Sequence, residues 1–470
     1  MNAPYFARDR VFYHTLFRLI LVVSLQNILA YSVNVADNIM LGSYSQAALS
    51  GAATVNQVQF LVQQITIAMG DAMVMLNAQY RGKGDVDPIR RITGITLKTG
   101  LAFGLLVLLI TALLPHQLLG LFTSDPEIIH AGVEYLSILK YSYLFYVLTT
   151  ILIAFLRSLE VVTISFAVSL MSLIVNVAIN YTLIFGHFGF PELGLKGAAI
   201  GTLTARILEL TVVVLYVLLR EKQIRLFHGN PFRRSKELAQ DYRKVAVPVV
   251  LTNLLWSLAT PIQTGILGHL SSDAIAANSV STTMFQYLKV VTVSQASATS
   301  VSIGKMVGQG YDTPNALRPY VRALQAIFLV MGLLLGGILL AIRQPLLSLY
   351  ALSPSAMVLA NQLLILMVII FIGMAYQMPV SVGIIRGGGE TKFNMYMNLI
   401  STWAIVMPLS FAAAFWWKLP VFWVVFCLNS DQLFKCIPVA IYVSSYRWIH
   451  VLTRKGADAN SIRNSNQERQ

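Results

Sequence analysis

The sequence predicts an all-α polytopic membrane protein, with about twelve transmembrane helices arranged as two pseudo-symmetric six-helix lobes. Three observations carry that expectation. Hydrophobic residues make up 56% of the 470 and charged residues 11%, where a soluble protein carries about a quarter charged. The charges gather in short connectors between apolar runs, each long enough for a helix of about 20 residues to cross a bilayer. The chain also repeats itself at an offset of 226 residues. Hydrocarbon leaves only helices or closed barrels with a satisfied backbone, and these runs are too long and too uniformly apolar for barrel strands.

In chain order the spans fall at roughly 14–42, 52–79, 92–114, 132–157, 161–186, 196–220, 244–268, 276–307, 319–343, 357–386, 393–416 and 419–445. The basic opening segment MNAPYFARDR leads into the first run without a small-residue cleavage site, so that run is expected to remain as a helix. Even-numbered connectors hold Arg81, Lys83, Arg90, Arg91 and Arg157, the stretch REKQIRLFHGNPFRRSKELAQDYRK, then Lys305, Arg318, Arg386 and Lys392. Odd-numbered connectors hold only Lys196, Arg343 and Lys418. That asymmetry is the positive-inside pattern and predicts a plasma or inner membrane protein with both termini in the cytoplasm. The net charge of +14 is thereby spent on topology and anionic headgroups, not gathered on one face for nucleic acid.

The repeat lays Leu41-Gly42 on Leu267-Gly268, Gly82 and Gly84 on Gly308 and Gly310, and Pro88 on Pro314. At an offset of 229, AFLRSLE meets GIIRGGGE, with Arg157 opposite Arg386. Matches in order at nearly one offset mark a parallel repeat about an axis along the membrane normal, with a central cleft between the halves. The expected organisation is an N-lobe over 1–219, a basic cytoplasmic connector over 220–244, a C-lobe over 245–446 and a disordered cytoplasmic tail over 447–470.

VADNIMLG…ALSG, LNAQYRGKGD, NVAINYTLIFGHFGFPELGLKGAAIGT, RGGGETKF and SDQLFK…RWI resemble, in order and over nearly the whole chain, the multidrug and toxic compound extrusion (MATE) family, most of all its bacterial members. The resemblance implies a twelve-span antiporter that expels amphipathic, often cationic organic compounds, driven by inward flow of H⁺ or Na⁺. It places the family's first-span acid on Asp37 and its fifth-span polar positions on Asn176 and Asn180. In the second half, acidic family positions fall on Asn253 and Asn398. That departure puts a C-lobe Na⁺ site in doubt, because amides offer a cation no compensating charge.

A charge near the bilayer centre needs a partner or a task. Arg206 and Glu209, three apart, and Asp431 and Lys435, four apart, each share a helix face and are expected to be structural ion pairs. Asp37 has no basic residue within a turn, and the repeat puts Gln263 in its place. A carboxylate kept in one lobe only points to titration as its purpose, since burial shifts a carboxyl towards its neutral form. A helix-end cap or an interfacial residue facing water is the alternative. Asn176 and Asn180, one turn apart, are expected beside Asp37, and H⁺ is expected over Na⁺. Asp71 is open between a second proton site and a residue lining a wet cleft. Lys289, repeat-related to Gln63, is a candidate cleft charge: it either pairs with Asp71 across the cleft or, unpaired, favours anionic or zwitterionic substrates.

Other classes find little support. The seven histidines sit at span ends or in connectors, no HExxH or GxxxxGK[ST] occurs, and Cys427 and Cys436 lie nine residues apart on one predicted helix, too far for a bridge along it. No enzyme, no metal, no cofactor beyond the coupling ion and no nucleic-acid partner is expected. The expected partners are small amphipathic substrates and lipids, and the expected state is a monomer. A flippase of lipid-linked precursors is the alternative function, and it would want several basic residues in the cleft.

Overall fold

The computed structural model describes residues 5–228, 230–268, 272–348, 350 and 353–454. Its long elements follow the predicted spans, most of them extended by several residues: α1 (Arg10–Tyr44), α2 (Gln46–Lys83), α3 (Val86–Leu113), a bent α4 (Pro126–Leu139 and Ser142–Ser158), α5 (Thr163–Phe185) and α6 (Gly194–Leu219). The second half supplies α7 (Lys236–Gly268), α8 (Ser272–Gly308), α9 (Pro314–Leu347), α10 (Pro354–Ile385), α11 (Lys392–Trp416) and α12 (Val421–Ser444). Side chains cap several starts: Asp9 accepts from Phe12 N, Ser45 from Ala48 N and Ser353 from Ala356 N.

Ten of these helices are long and apolar enough to cross a membrane, and the two parts of α4, bent by 56°, make an eleventh span together. The 37-residue α8 carries Ser, Thr, Gln and Lys289 along its length and is more polar than the rest. Its repeat partner α2 is the least apolar of the qualifying helices. These two pack on each other at the centre of the molecule, where a helix need not face lipid, and that is the physical reason both carry polar residues.

Hydrophobic burial follows the repeat closely. From α1, Leu16, Leu19, Ile20 and Val23 sit in a core made largely by the second half, with Ile303, Met306 and Val321. From α7, Tyr242, Val245, Ala246 and Val249 sit in the core of the first half. Each of the second four lies 226 residues after one of the first. The leading helix of each half therefore crosses to the other half at its start, so the two lobes are interlocked at the end that carries the chain termini and the 220–235 connector.

At that same end α2 and α8 cross with their backbones in contact. A Cβ on Gly82 would collide with the carbonyl of Lys305, and one on Gly308 with the carbonyl of Gln79. A Cβ on Gly304 would come 3.0 Å from the Ala78 Cβ. Gly82 and Gly308 are repeat equivalents, as are Ala78 and Gly304, so the crossing obeys the two-fold. Only glycine permits so close an approach of backbones.

The expected disorder of 447–470 does not hold for its first residues. Trp448 is fully buried, donates from its indole N–H to Val443 O at 2.9 Å, and packs on Gly388. His450 N donates to Gly388 O at 2.8 Å. Gln79 of α2 receives Leu452 N at 2.7 Å and donates to His450 O at 3.1 Å. Arg454 pairs with Glu237 and Asp241 of α7, both at 2.7 Å. Backbone hydrogen bonds and a buried indole hold this segment across the crossing of the lobes. Residues 455–470 of the expected tail lie outside the described residues.

Candidate functional site in the N-lobe and the contacts that close the cleft

Asp37 stands in α1 seven residues before the last residue of the helix, so it is not a helix-end cap. The Nδ2 of Asn180 donates to its Oδ1 at 2.5 Å, and also lies 3.3 Å from Asn176 Oδ1. Asn176 Nδ2 in turn donates to Thr202 Oγ1 at 3.3 Å. Both asparagines are fully buried and Thr202 nearly so. The spacing of four residues puts the asparagines on one face of α5, and Gly201 of α6 leaves the room that the Asn180 amide fills.

Asn180 Oδ1 is buried against Gly201 of α6 and has no hydrogen-bond partner among the described residues. A buried acceptor without a donor is costly. Arg206, one turn beyond Thr202 on α6, lies within electrostatic reach of Asp37. It is held by Glu209 at 2.8 Å and lies over the Tyr146 ring at 5.1 Å. Asp37, Arg206 and Glu209 together carry one negative charge, which one proton neutralises.

The other sequence candidates separate. Asp71 does not meet Lys289. Its Oδ1 receives Arg157 Nη2 at 2.9 Å and its Oδ2 receives Arg386 Nη2 at 2.7 Å. Two guanidiniums claim both oxygens, which makes Asp71 a bridge between the halves. Nearby, Glu160 joins Arg81 at 3.2 Å to Lys305 at 2.9 Å, a second bridge between the halves. Sequence reasoning missed both bridges. The repeat offered a partial signal, since it makes Arg157 and Arg386 equivalent, but nothing in the sequence ties either of them to Asp71.

In the C-lobe, Lys435 Nζ reaches Asp431 Oδ2 at 2.7 Å and Asn398 Oδ1 at 3.0 Å, nearly out of reach of solvent. A tethered ammonium thus occupies the position where the family resemblance raised the question of a cation. Asn253 donates to Gln64 O at 3.3 Å across the halves, and Gln263 reaches Leu428 O at 3.5 Å. The three C-lobe amides Asn253, Gln263 and Asn398 therefore make no common site.

Lys289 lies with its ammonium 4.3 Å from the centre of the Trp256 ring. It has no hydrogen bond or ion pair among the described residues, and the nearest carboxylate whose charge it feels is Asp431. A separate apolar cavity of about 360 Å³, lined by Ile262, Ile266, Trp403, Met407, Phe411 and Trp416 among others, contains none of these charged groups.

A MatE family model matches the chain twice, at residues 23–182 and 248–412, one copy in each half and starting 225 residues apart. A probable multidrug resistance protein NorM of Thermotoga maritima is 24% identical over 438 residues, covering 92% of each chain. Another protein of that description, from Rhizobium meliloti, is 26% identical over 402 residues, covering 82% of this chain and 83% of its own. Among solved structures, a MATE protein in complex with MaL6 superposes with TM-score 0.82 at 16% identity, over 92% of this chain and 96% of that one. An outward-facing multidrug resistance MATE transporter does so with TM-score 0.82 at 15% identity, over the same shares. The repeated match, one module per interlocked half, shows that this multi-pass membrane protein belongs to the MatE family, the multidrug and toxic compound extrusion (MATE) transporters.

Proposed function

We propose that the chain is an H⁺-coupled antiporter that exports small amphipathic organic compounds from the cytoplasm by alternating access. The observation that carries this reading is the one-sided acid: Asp37 sits in a buried chain of Asn180, Asn176 and Thr202, while its repeat equivalent Gln263 is uncharged and reaches a backbone carbonyl. A proton taken by Asp37 on the outer side removes the net negative charge of the N-lobe cluster. Loss of that proton towards the cytoplasm restores the charge, so the two protonation states favour different arrangements of the same helices.

With both termini in the cytoplasm, as the positive-inside pattern predicts, the interlocked end is the cytoplasmic gate. The contacts supporting a closed gate here are the α2–α8 crossing, the Asp71 and Glu160 bridges and the segment 447–454. Opening to the cytoplasm requires those contacts to part. The driving force is adequate: one charge crossing about 100 mV supplies roughly 2.3 kcal/mol, enough for ten- to a hundredfold accumulation at about 1.4 kcal/mol per decade.

The test is dye export by the purified full chain in proteoliposomes, under a pH gradient or a Na⁺ gradient imposed separately. The reading expects uphill movement with the pH gradient and none with the Na⁺ gradient alone. Transport driven equally by Na⁺ at constant pH overturns the proton assignment, and no uphill movement under either gradient overturns the antiporter.

A further inference from the structure

Lys289 lies near the middle of the 37-residue α8, at the level where the lobes touch through aromatic rings. Tyr31 of α1 meets Tyr287 of α8 with ring centres 5.6 Å apart, and Phe60 of α2 meets Trp256 of α7 at 5.8 Å. Asn27, the repeat equivalent of Asn253, donates to Ser294 Oγ at 3.2 Å in the same zone. The setting is therefore aromatic and amide-lined, shared by both halves, and it holds one ammonium.

That ammonium is underpaid in partners. Asp431, the carboxylate within its electrostatic reach, is already bound by Lys435 at 2.7 Å and by Gln432 at 3.0 Å. Two cations share one anion, so Lys289, Lys435 and Asp431 leave a net positive charge in the C-lobe, opposite in sign to the Asp37 cluster. The Trp256 ring face holds Lys289 by a cation–π contact. An oxyanion offers a charge-assisted hydrogen bond instead, which is stronger than a neutral one. The ring is a resting place that an incoming anion can displace.

We propose that Lys289 and Trp256 form a substrate subsite for aromatic carboxylates, so that this exporter selects zwitterionic or anionic aromatic amphiphiles over purely cationic ones. The carboxylate takes Lys289, the aromatic body lies among Phe60, Trp256, Tyr31 and Tyr287, and any cationic end points to the N-lobe, where Asp37 supplies the complementary charge. The subsite rests on the exporter reading for its physiological meaning but is measurable without transport.

The experiment compares a rhodamine dye bearing a free carboxylate with the methyl ester of the same dye, which keeps the aromatic cation and removes the anion. Equilibrium binding to the full chain in nanodiscs is measured for wild type, Lys289→Met and Lys289→Arg, and export of both dyes is measured in proteoliposomes. Wild type is expected to bind the carboxylate dye roughly ten- to a hundredfold more tightly than the ester, the range of one charge-assisted hydrogen bond. Lys289→Met is expected to abolish that preference by weakening the carboxylate dye alone, and Lys289→Arg to keep it. Equal or tighter binding of the ester by wild type overturns the proposal, and that arm holds even if the methionine variant fails to fold. A preference that survives in Lys289→Met also overturns it. Carboxylate-selective binding with no export of either dye retains the subsite and counts against the exporter.

Discussion

The carboxylate of Asp71 is held between two guanidinium groups that the internal repeat makes equivalent, Arg157 Nη2 at 2.9 Å and Arg386 Nη2 at 2.7 Å. One acid from α2 thus joins the two halves at their shared axis, and its own repeat position is Ser297, which carries no charge. Removing one partner from a buried ion pair leaves the other charge uncompensated, at a cost of about 3–5 kcal/mol. Asp71→Asn is therefore expected to destabilise the form closed at the cytoplasmic end. A cysteine placed at the buried Ser300 should react faster with an impermeant maleimide added from that side, in a background lacking Cys427 and Cys436. Unchanged labelling would count against a gating role for the bridge.

The glycine crossing makes a steric prediction. Gly308→Val places a branched side chain against the Gln79 carbonyl, where even a Cβ collides. The gate should then fail to close, with uphill export lost while dye binding persists. Gly337→Ala, whose Cβ would meet nothing within 4 Å, is the control and should export normally, with helix stability raised by about 0.5–1 kcal/mol.

The segment 447–454 behaves as a strap in this account. Trp448→Ala empties a fully buried site, which costs about 3–5 kcal/mol for so large a side chain. Arg454 is about half exposed, 44% at its side chain, so Arg454→Ala should cost at most about 1 kcal/mol. Thermal unfolding of the two variants side by side checks the ranking. A greater loss from Arg454→Ala would mean that charge, not burial, seats the strap.

Lys435→Met strands Asp431 in the C-lobe without its ammonium and should destabilise by about 3–5 kcal/mol. Replacing both, Asp431→Leu with Lys435→Met, should recover most of that stability, because two apolar groups leave no charge uncompensated. If the double variant still binds no Na⁺ and exports with a pH gradient, the pair is structural. If export is lost with stability intact, the pair takes part in coupling.

The order of spans and the repeat were legible because each is a pattern in the chain itself, and the acid cluster because the family resemblance singled out Asp37, Asn176 and Asn180. Apolar length sets the helices, the 226-residue offset sets the symmetry, and the four-residue spacing sets Asn176 and Asn180 on one face. Partners contributed across the halves were not legible in the same way. Asp71 and Arg386 are 315 residues apart, and no periodicity links them. The break in α4 falls at Lys140-Tyr141, with neither glycine nor proline to announce it. The order of Trp448 was hidden by the polar composition around it, since one indole seated on Gly388 holds the segment and composition averages such a contact away.

The most direct measurement is uphill export by Asp37→Asn in proteoliposomes with an imposed pH gradient, set beside downhill exchange of the same dye by the same variant. The neutral amide keeps the shape of the side chain and removes the titration. Uphill export is expected to disappear while downhill exchange persists. Uphill export at the wild-type level by Asp37→Asn would contradict the proton-coupling role of Asp37.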